Sequence, residues 1–130
     1  MFDKKKWDKY YKTTEGYLKW LKDSGEKKRI RYNSDSDYRE KVKRQDSIRR
    51  KRLKHLVLTH YSWTSYPSCK DCGLHDLRCL SIDHVNGGGT QHRKITGGGQ
   101  KFYSWLKKNN FPEGYDCVCM NCNFKRRYNY

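Results

Sequence analysis

The chain has 130 residues, which bounds it to one domain with room for an appended arm. Hydrophobic residues make up only 34%, equal to the charged fraction, so a thick apolar core is excluded and stapling by metal is expected in its place. Thirty Lys and Arg against fourteen Asp and Glu leave a formal charge of +16, more than solubility requires and suited to a polyanionic partner.

The surplus is uneven. Residues 1–66 carry twenty basic and nine acidic side chains and residues 67–130 carry ten and five, so a basic N-terminal arm (1–66) is expected to precede a second region (67–130). No apolar leader segment opens the sequence and no long uncharged run is available to span a bilayer. The expectation is an intracellular, cytoplasmic chain with no membrane partner. In that reducing setting the six cysteines favour metal over disulfides.

In chain order, residues 3–24 place Trp7, Tyr10, Tyr11, Tyr17, Leu18 and Leu21 at spacings of three, four and seven, with lysines between them. This predicts an amphipathic helix, or two short ones with Thr13 and Thr14 capping the second, stopped by Ser24-Gly25 and packed by its apolar face on the domain. Residues 27–31 read as a basic linker. The cluster Asn33-Ser34-Asp35-Ser36-Asp37 is rich in helix-starting residues, and from Tyr38 to about Leu58 there is no Gly or Pro. A long helix should follow, with a sparse apolar stripe of Tyr38, Val42, Ile48, Leu53, Leu56 and Val57. Its other faces are cationic, and residues 49–54 lack acids altogether; Arg44, Arg49, Arg50, Lys51 and Arg52 are the expected nucleic-acid contacts.

Residues 60–67 make a turn. Residues 79–82 read as a strand, which Asn86 and the following glycines end. A second glycine run, Gly97-Gly98-Gly99, brackets residues 90–96 as a loop, from which His92, Arg93 and Lys94 are placed to touch a phosphate backbone. Residues 102–108 form a short helix with Phe102, Trp105 and Leu106 inward, ended by Asn109-Asn110. Residues 115–118 form a second strand, and a terminal helix carries Lys125, Arg126 and Arg127, the first two also expected to bind nucleic acid.

Two Cys-x-x-Cys knuckles, Cys69/Cys72 and Cys119/Cys122, match the tetrahedral four-thiolate site of a structural Zn²⁺. The 46 residues between them exceed the roughly 15–20 of a common zinc ribbon, so something is built between the knuckles. Cys79 and Cys117 fall outside the paired spacing and read as buried side chains. Between the knuckles lies Ile82-Asp83-His84-Val85, in which Asp83 is a hard ligand of the kind Mg²⁺ or Mn²⁺ prefers and His84 titrates near neutrality. Alternation along a strand would point the two to opposite faces, so a bend at the strand end is expected.

Taken together, Cys69-x-x-Cys72, Ile82-Asp83-His84-Val85 and Cys119-x-x-Cys122-Asn123 resemble the HNH nucleases, the treble-clef or His-Me finger class, in the zinc-bearing branch common in phage genomes and with some similarity to junction resolvases of the endonuclease VII type. The resemblance covers about residues 67–128. It implies an α+β fold, a small zinc-stapled ββα-metal nuclease module preceded by the basic helical arm. It makes His84 the general base, Asp83 and Asn123 the protein ligands of a catalytic Mg²⁺ or Mn²⁺, and double-stranded DNA the substrate, cut to 5′-phosphate and 3′-hydroxyl ends. A phage-encoded chain would work in the host cytoplasm. The family's middle Asn has three candidates, Asn86, Asn109 and Asn110. The rival reading is a non-catalytic zinc module that binds DNA or RNA through the arm, with Asp83 and His84 merely structural; a third is an RNA binder with the same arm, distinguished by substrate preference.

Overall fold

The computed structural model describes residues 14–128 together with Lys4, Lys5 and Asp8. Trp7, Tyr10, Tyr11 and Thr13, part of the expected first helix, lie outside the described residues. Among those described, five helices and a two-stranded antiparallel sheet make a small α+β fold: α1 (Thr14–Ser34), α2 (Ser36–His60), β1 (Leu80–His84), α3 (Gly89–Thr96), α4 (Gln100–Lys108), β2 (Tyr115–Cys119) and α5 (Met120–Arg127). No helix among them is long and apolar enough to cross a membrane.

The chain divides into two compact units, one ending at Asp46 and one running from Ser47 to Tyr130. The first contains α1, which runs straight through Ser24-Gly25 and through residues 27–31, where a stop and a linker were expected. One interior glycine costs a helix only about 1 kcal/mol relative to alanine, and the good helix formers Glu26, Lys27, Lys28 and Arg29 follow it with no proline. The face expected to pack inward stays open: Tyr17, Leu18 and Leu21 are all exposed, and Tyr17 stacks on Trp20 at 6.1 Å. Asp35 makes the break after α1, its carboxylate accepting from the Tyr38 backbone N–H at 2.9 Å and so capping α2. That bond, with Arg31 nearby, holds the Asp35 carboxyl below its usual range.

The second unit begins inside α2, not at residue 67, because the end of this helix belongs to its core: Val57 and Leu58 are fully buried, while Ile48 and Leu56 of the expected stripe are exposed. After α2, the Ser62 hydroxyl accepts from the Ser68 N–H at 2.9 Å and donates to the Leu58 carbonyl at 2.7 Å, folding the chain back toward the first knuckle. β1 and β2 pair with Leu80 opposite Cys119, Ile82 opposite Cys117, Asp83 opposite Asp116 and His84 opposite Tyr115. One cluster of Leu58, Cys69, Leu80, Cys117, Val118, Cys119 and Cys122 forms the core, so the cysteines are embedded in what little apolar interior there is.

Residues 89–96 are helical, where a loop was expected. The flanking glycines set its two ends: Gly97 sits at φ 80°, and a Cβ there would come within 2.7 Å of Lys101. α4 ends at Asn109 as expected, and Asn110 and Phe111 then take left-handed backbone (φ 56° and 52°), held by the Phe111 N–H bond to the Leu106 carbonyl at 2.8 Å and by stacking of Phe111 on His60 at 4.2 Å.

Candidate functional site

The sulfurs of Cys69, Cys72, Cys119 and Cys122 all lie within 4.8 Å of one another, the set of cysteines that the spacing selected. Cys72 Sγ and Cys119 Sγ are 3.7 Å apart, far beyond a disulfide and close to the ~3.8 Å edge of a tetrahedron built on Zn–S bonds of ~2.3 Å. Burial works to raise the Cys69 thiol, but backbone N–H groups of Cys119, Cys72 and Asp71 aimed at its sulfur hold it below its ordinary value, while burial and the neighbouring thiols push Cys122 up. Amides that stabilise a thiolate prepare it to ligate a cation. Cys119 also caps α5, its sulfur accepting from the Cys122 N–H at 3.4 Å. The four cysteines can therefore hold a metal ion such as zinc. Cys117 is wholly buried outside the cluster, and Cys79 stands apart from it as well.

Between the knuckles the paired strands β1 and β2 deliver the remaining chemistry. Asp83 and His84 close β1, and Asn123 comes from the first turns of α5; all three line one cleft of about 730 Å³, together with Arg93 and Arg126. Both neighbours at the end of β1 line the cleft, and each touches different groups. His84 stacks on Phe102 at 5.3 Å and meets Tyr115 edge-on at 4.9 Å. Its ring is partly buried, and that desolvation, with His92 and Arg93 beside it, outweighs Asp83 and holds its pKa below the ordinary 6.5. At neutral pH His84 is thus an uncharged imidazole able to accept a proton.

Asp83 is held by other partners. Its Oδ2 accepts from Arg126 Nη1 at 3.2 Å, and the same nitrogen reaches Asp116 Oδ2 at 3.2 Å. Arg126 also makes a two-pronged bond to Asp71 at 2.8 and 2.6 Å, and Lys70 pairs with Asp116 at 2.7 Å. Asp71 sits inside the first knuckle, so Arg126 ties that knuckle to both strands. The sequence placed Arg126 among the nucleic-acid contacts; here its guanidinium is engaged by three carboxylates, because β1 and β2 bring Asp83 and Asp116 side by side under α5.

The other cationic positions keep their expected exposure. Arg44 is exposed in the first unit; Arg49, Arg50, Lys51 and Arg52 are exposed on α2, and Lys94 and Lys125 are exposed without lining the cleft. None of Asn86, Asn109 and Asn110 lines it either, and Asn109 bonds its own helix at Trp105. His92, expected to face the substrate, lines the cleft and sets its Nδ1 2.9 Å from His84 Nε2.

Comparison with protein-family models, with curated proteins and with solved structures finds no match for this chain.

What the sequence reading missed, Asp71, Asp116 and the pairing of His92 with His84, depends on the pairing of β1 with β2 and on α3 being helical. The one available signal was the register: once Leu80 is set opposite Cys119, Asp83 must fall opposite Asp116.

Proposed function

We propose that this chain is a metal-dependent endonuclease of the HNH type, hydrolysing DNA phosphodiester bonds to 5′-phosphate and 3′-hydroxyl ends. The observation that carries the reading is the meeting of Asp83, His84 and Asn123 in one cleft beside the four-cysteine cluster. β2 pairs with β1 and runs directly into α5, with α3 and α4 between the strands in sequence; this sheet and following helix support a ββα-metal module, with zinc as the ion between the knuckles and its role structural, since four protein ligands leave no position for water.

Asp83 and Asn123 offer a carboxylate and an amide on the wall of an open cleft, a hard-donor pair that fits Mg²⁺ or Mn²⁺ with positions left for water and phosphate. Such an ion, when bound, neutralises charge on the phosphoryl oxygens and on the leaving 3′ oxygen. His84 accepts a proton from the attacking water. Arg93 lies exposed on the cleft wall, where it can pair with a neighbouring phosphate. Arg126 holds Asp83 from the side of the knuckle and keeps its carboxylate aimed.

The deciding experiment incubates the whole protein with supercoiled plasmid and Mg²⁺ or Mn²⁺, and reads nicked and linear forms. Cation-dependent nicking is expected. Tight plasmid binding with no cleavage in either ion would return the chain to the class of non-catalytic zinc modules.

The exposed cations on α2 imply a second result. Binding to duplex DNA by the whole chain should fall steeply with salt, and replacing Arg49, Arg50, Lys51 and Arg52 together by Gln should flatten the log–log slope by about three to four, at ~0.9 per phosphate contact. An unchanged slope would remove α2 from the interface. Substitution is the right tool: a truncation reaching residue 58 would take Val57 and Leu58 out of the core.

A further inference from the structure

Resting on the endonuclease reading, we propose that His92 is a positioning residue that fixes the tautomer of His84. His84 Nε2 and His92 Nδ1 are 2.9 Å apart, a hydrogen-bond distance, and two uncharged imidazoles share it by placing one proton between them. If His84 supplies that proton, its own Nδ1 is left with a free lone pair. If His92 supplies it, His84 carries its proton on Nδ1 and has no basic nitrogen left, because Nε2 is then occupied as the acceptor. A base at this position therefore requires His92 to accept.

The surroundings of His92 hold it to that task. Its ring lies edge-on to Trp105 at 4.4 Å and to Phe102 at 5.4 Å, and stacks along Tyr115 at 6.1 Å. These three aromatics fix the plane of the ring, and Tyr115 Oη stands 3.4 Å from the same Nδ1. On the other side of the pair, the Nδ1 edge of His84 lies against Gly89, where an added Cβ would come within 3.1 Å of that nitrogen. Gly89 and His84 both line the cleft, so the nitrogen left free by the pairing lies beside a part of its wall. Glycine at 89 keeps its approach open.

The pairing also acts where the reaction needs it. As His84 takes the proton from water on Nδ1 it becomes a cation, and its Nε2–H bond to the accepting Nδ1 of His92 becomes charge-assisted, hence stronger in the transition state than in the ground state. His92 neither touches the substrate in this role nor exchanges a proton with it. A partner of this kind typically contributes about 10–100-fold in activity.

The test uses the full-length, zinc-loaded chain and three forms: wild type, His92→Phe, which keeps an aromatic ring among Phe102, Trp105 and Tyr115 but offers no acceptor, and His92→Asn, whose amide oxygen can stand where Nδ1 stands. Imidazole ¹⁵N spectra of His84, taken without added Mg²⁺ or DNA, should show Nε2 protonated and Nδ1 bare in wild type and in His92→Asn, and a mixed or reversed pattern in His92→Phe. Nicking by His92→Phe should lose about 10–100-fold in kcat with KM unchanged, and His92→Asn should recover most of it. A wild-type spectrum with the proton on His84 Nδ1, or a folded His92→Phe protein that cuts at the wild-type rate, overturns the proposal. A wild-type protein that has the Nε2–H tautomer and cuts nothing upholds the histidine pair and overturns the endonuclease reading instead.

Discussion

Replacing Cys69 or Cys119 by Ser is expected to unfold the unit that runs from Ser47 to Tyr130, with the loss of about one zinc per chain. The effect should be large because the rest of the interior is small: its largest fully buried side chains are Leu58, Leu80, Leu106, Val57, Val118 and Cys117. Each such aliphatic group contributes about 1.5–3 kcal/mol, whereas a structural zinc contributes about 10–16 kcal/mol in small zinc modules. The two ligands are also 3% exposed and belong to the apolar cluster itself, so serine would add a buried hydroxyl to the missing bond. Circular dichroism melts with and without a chelator, and elemental analysis of the reduced protein, measure both effects. Cys79→Ser, outside the cluster, should keep its zinc and its melting point. A folded Cys119→Ser protein with an unchanged melting temperature, or a reduced wild type free of zinc, would end this account.

The knuckles were legible because thiolate geometry is local: two cysteines three residues apart bring two sulfurs to one ion, and only the meeting of the two pairs depends on the fold. α2 was legible for a similar reason, its start written in Asp35 and its length in an absence of Gly and Pro. α1 was misjudged at Gly25 because a single glycine weakens a helix without ending it when strong helix formers follow. α3 was read as a loop because glycines on both sides dominate a seven-residue window, yet those glycines serve as its ends. The carboxylates around Arg126 were beyond reach, since residues 71, 83, 116 and 126 meet only after β1 and β2, separated by two helices in sequence, have set their register. Asp83, His84 and Asn123 came from resemblance. Their common cleft is a property of the folded chain, which composition and periodicity do not contain.

His84→Ala should reduce cleavage by about 10²–10⁴-fold, the range a general base supplies, while leaving DNA affinity where it was. The separation of the two effects follows from the proposed role: proton transfer to His84 would be made in the transition state, whereas ground-state binding would rest on the exposed cations of α2 and the cleft wall. Loss of the ring also removes its stacking on Phe102, so the zinc content and melting point of the variant must accompany the rate. His84→Asn serves as a second variant, since its amide can still bond His92 but cannot take a proton. The pH profile has a fixed sign. Burial, His92 and Arg93 hold the His84 pKa below 6.5, so the basic form persists to lower pH than for a free histidine, and log kcat/KM should stay level through neutrality and fall with unit slope only below pH 6.5. Asp83→Ala should instead raise the Mn²⁺ concentration needed for any residual cutting, and in doing so release Arg126 from one of its three carboxylates. The four-cysteine site should keep its zinc in every one of these variants, since none of the substituted residues belongs to it. A folded, zinc-loaded His84→Ala protein that nicks plasmid at the wild-type rate would remove His84 from the chemistry and, with it, the reason for reading the cleft as a nuclease site.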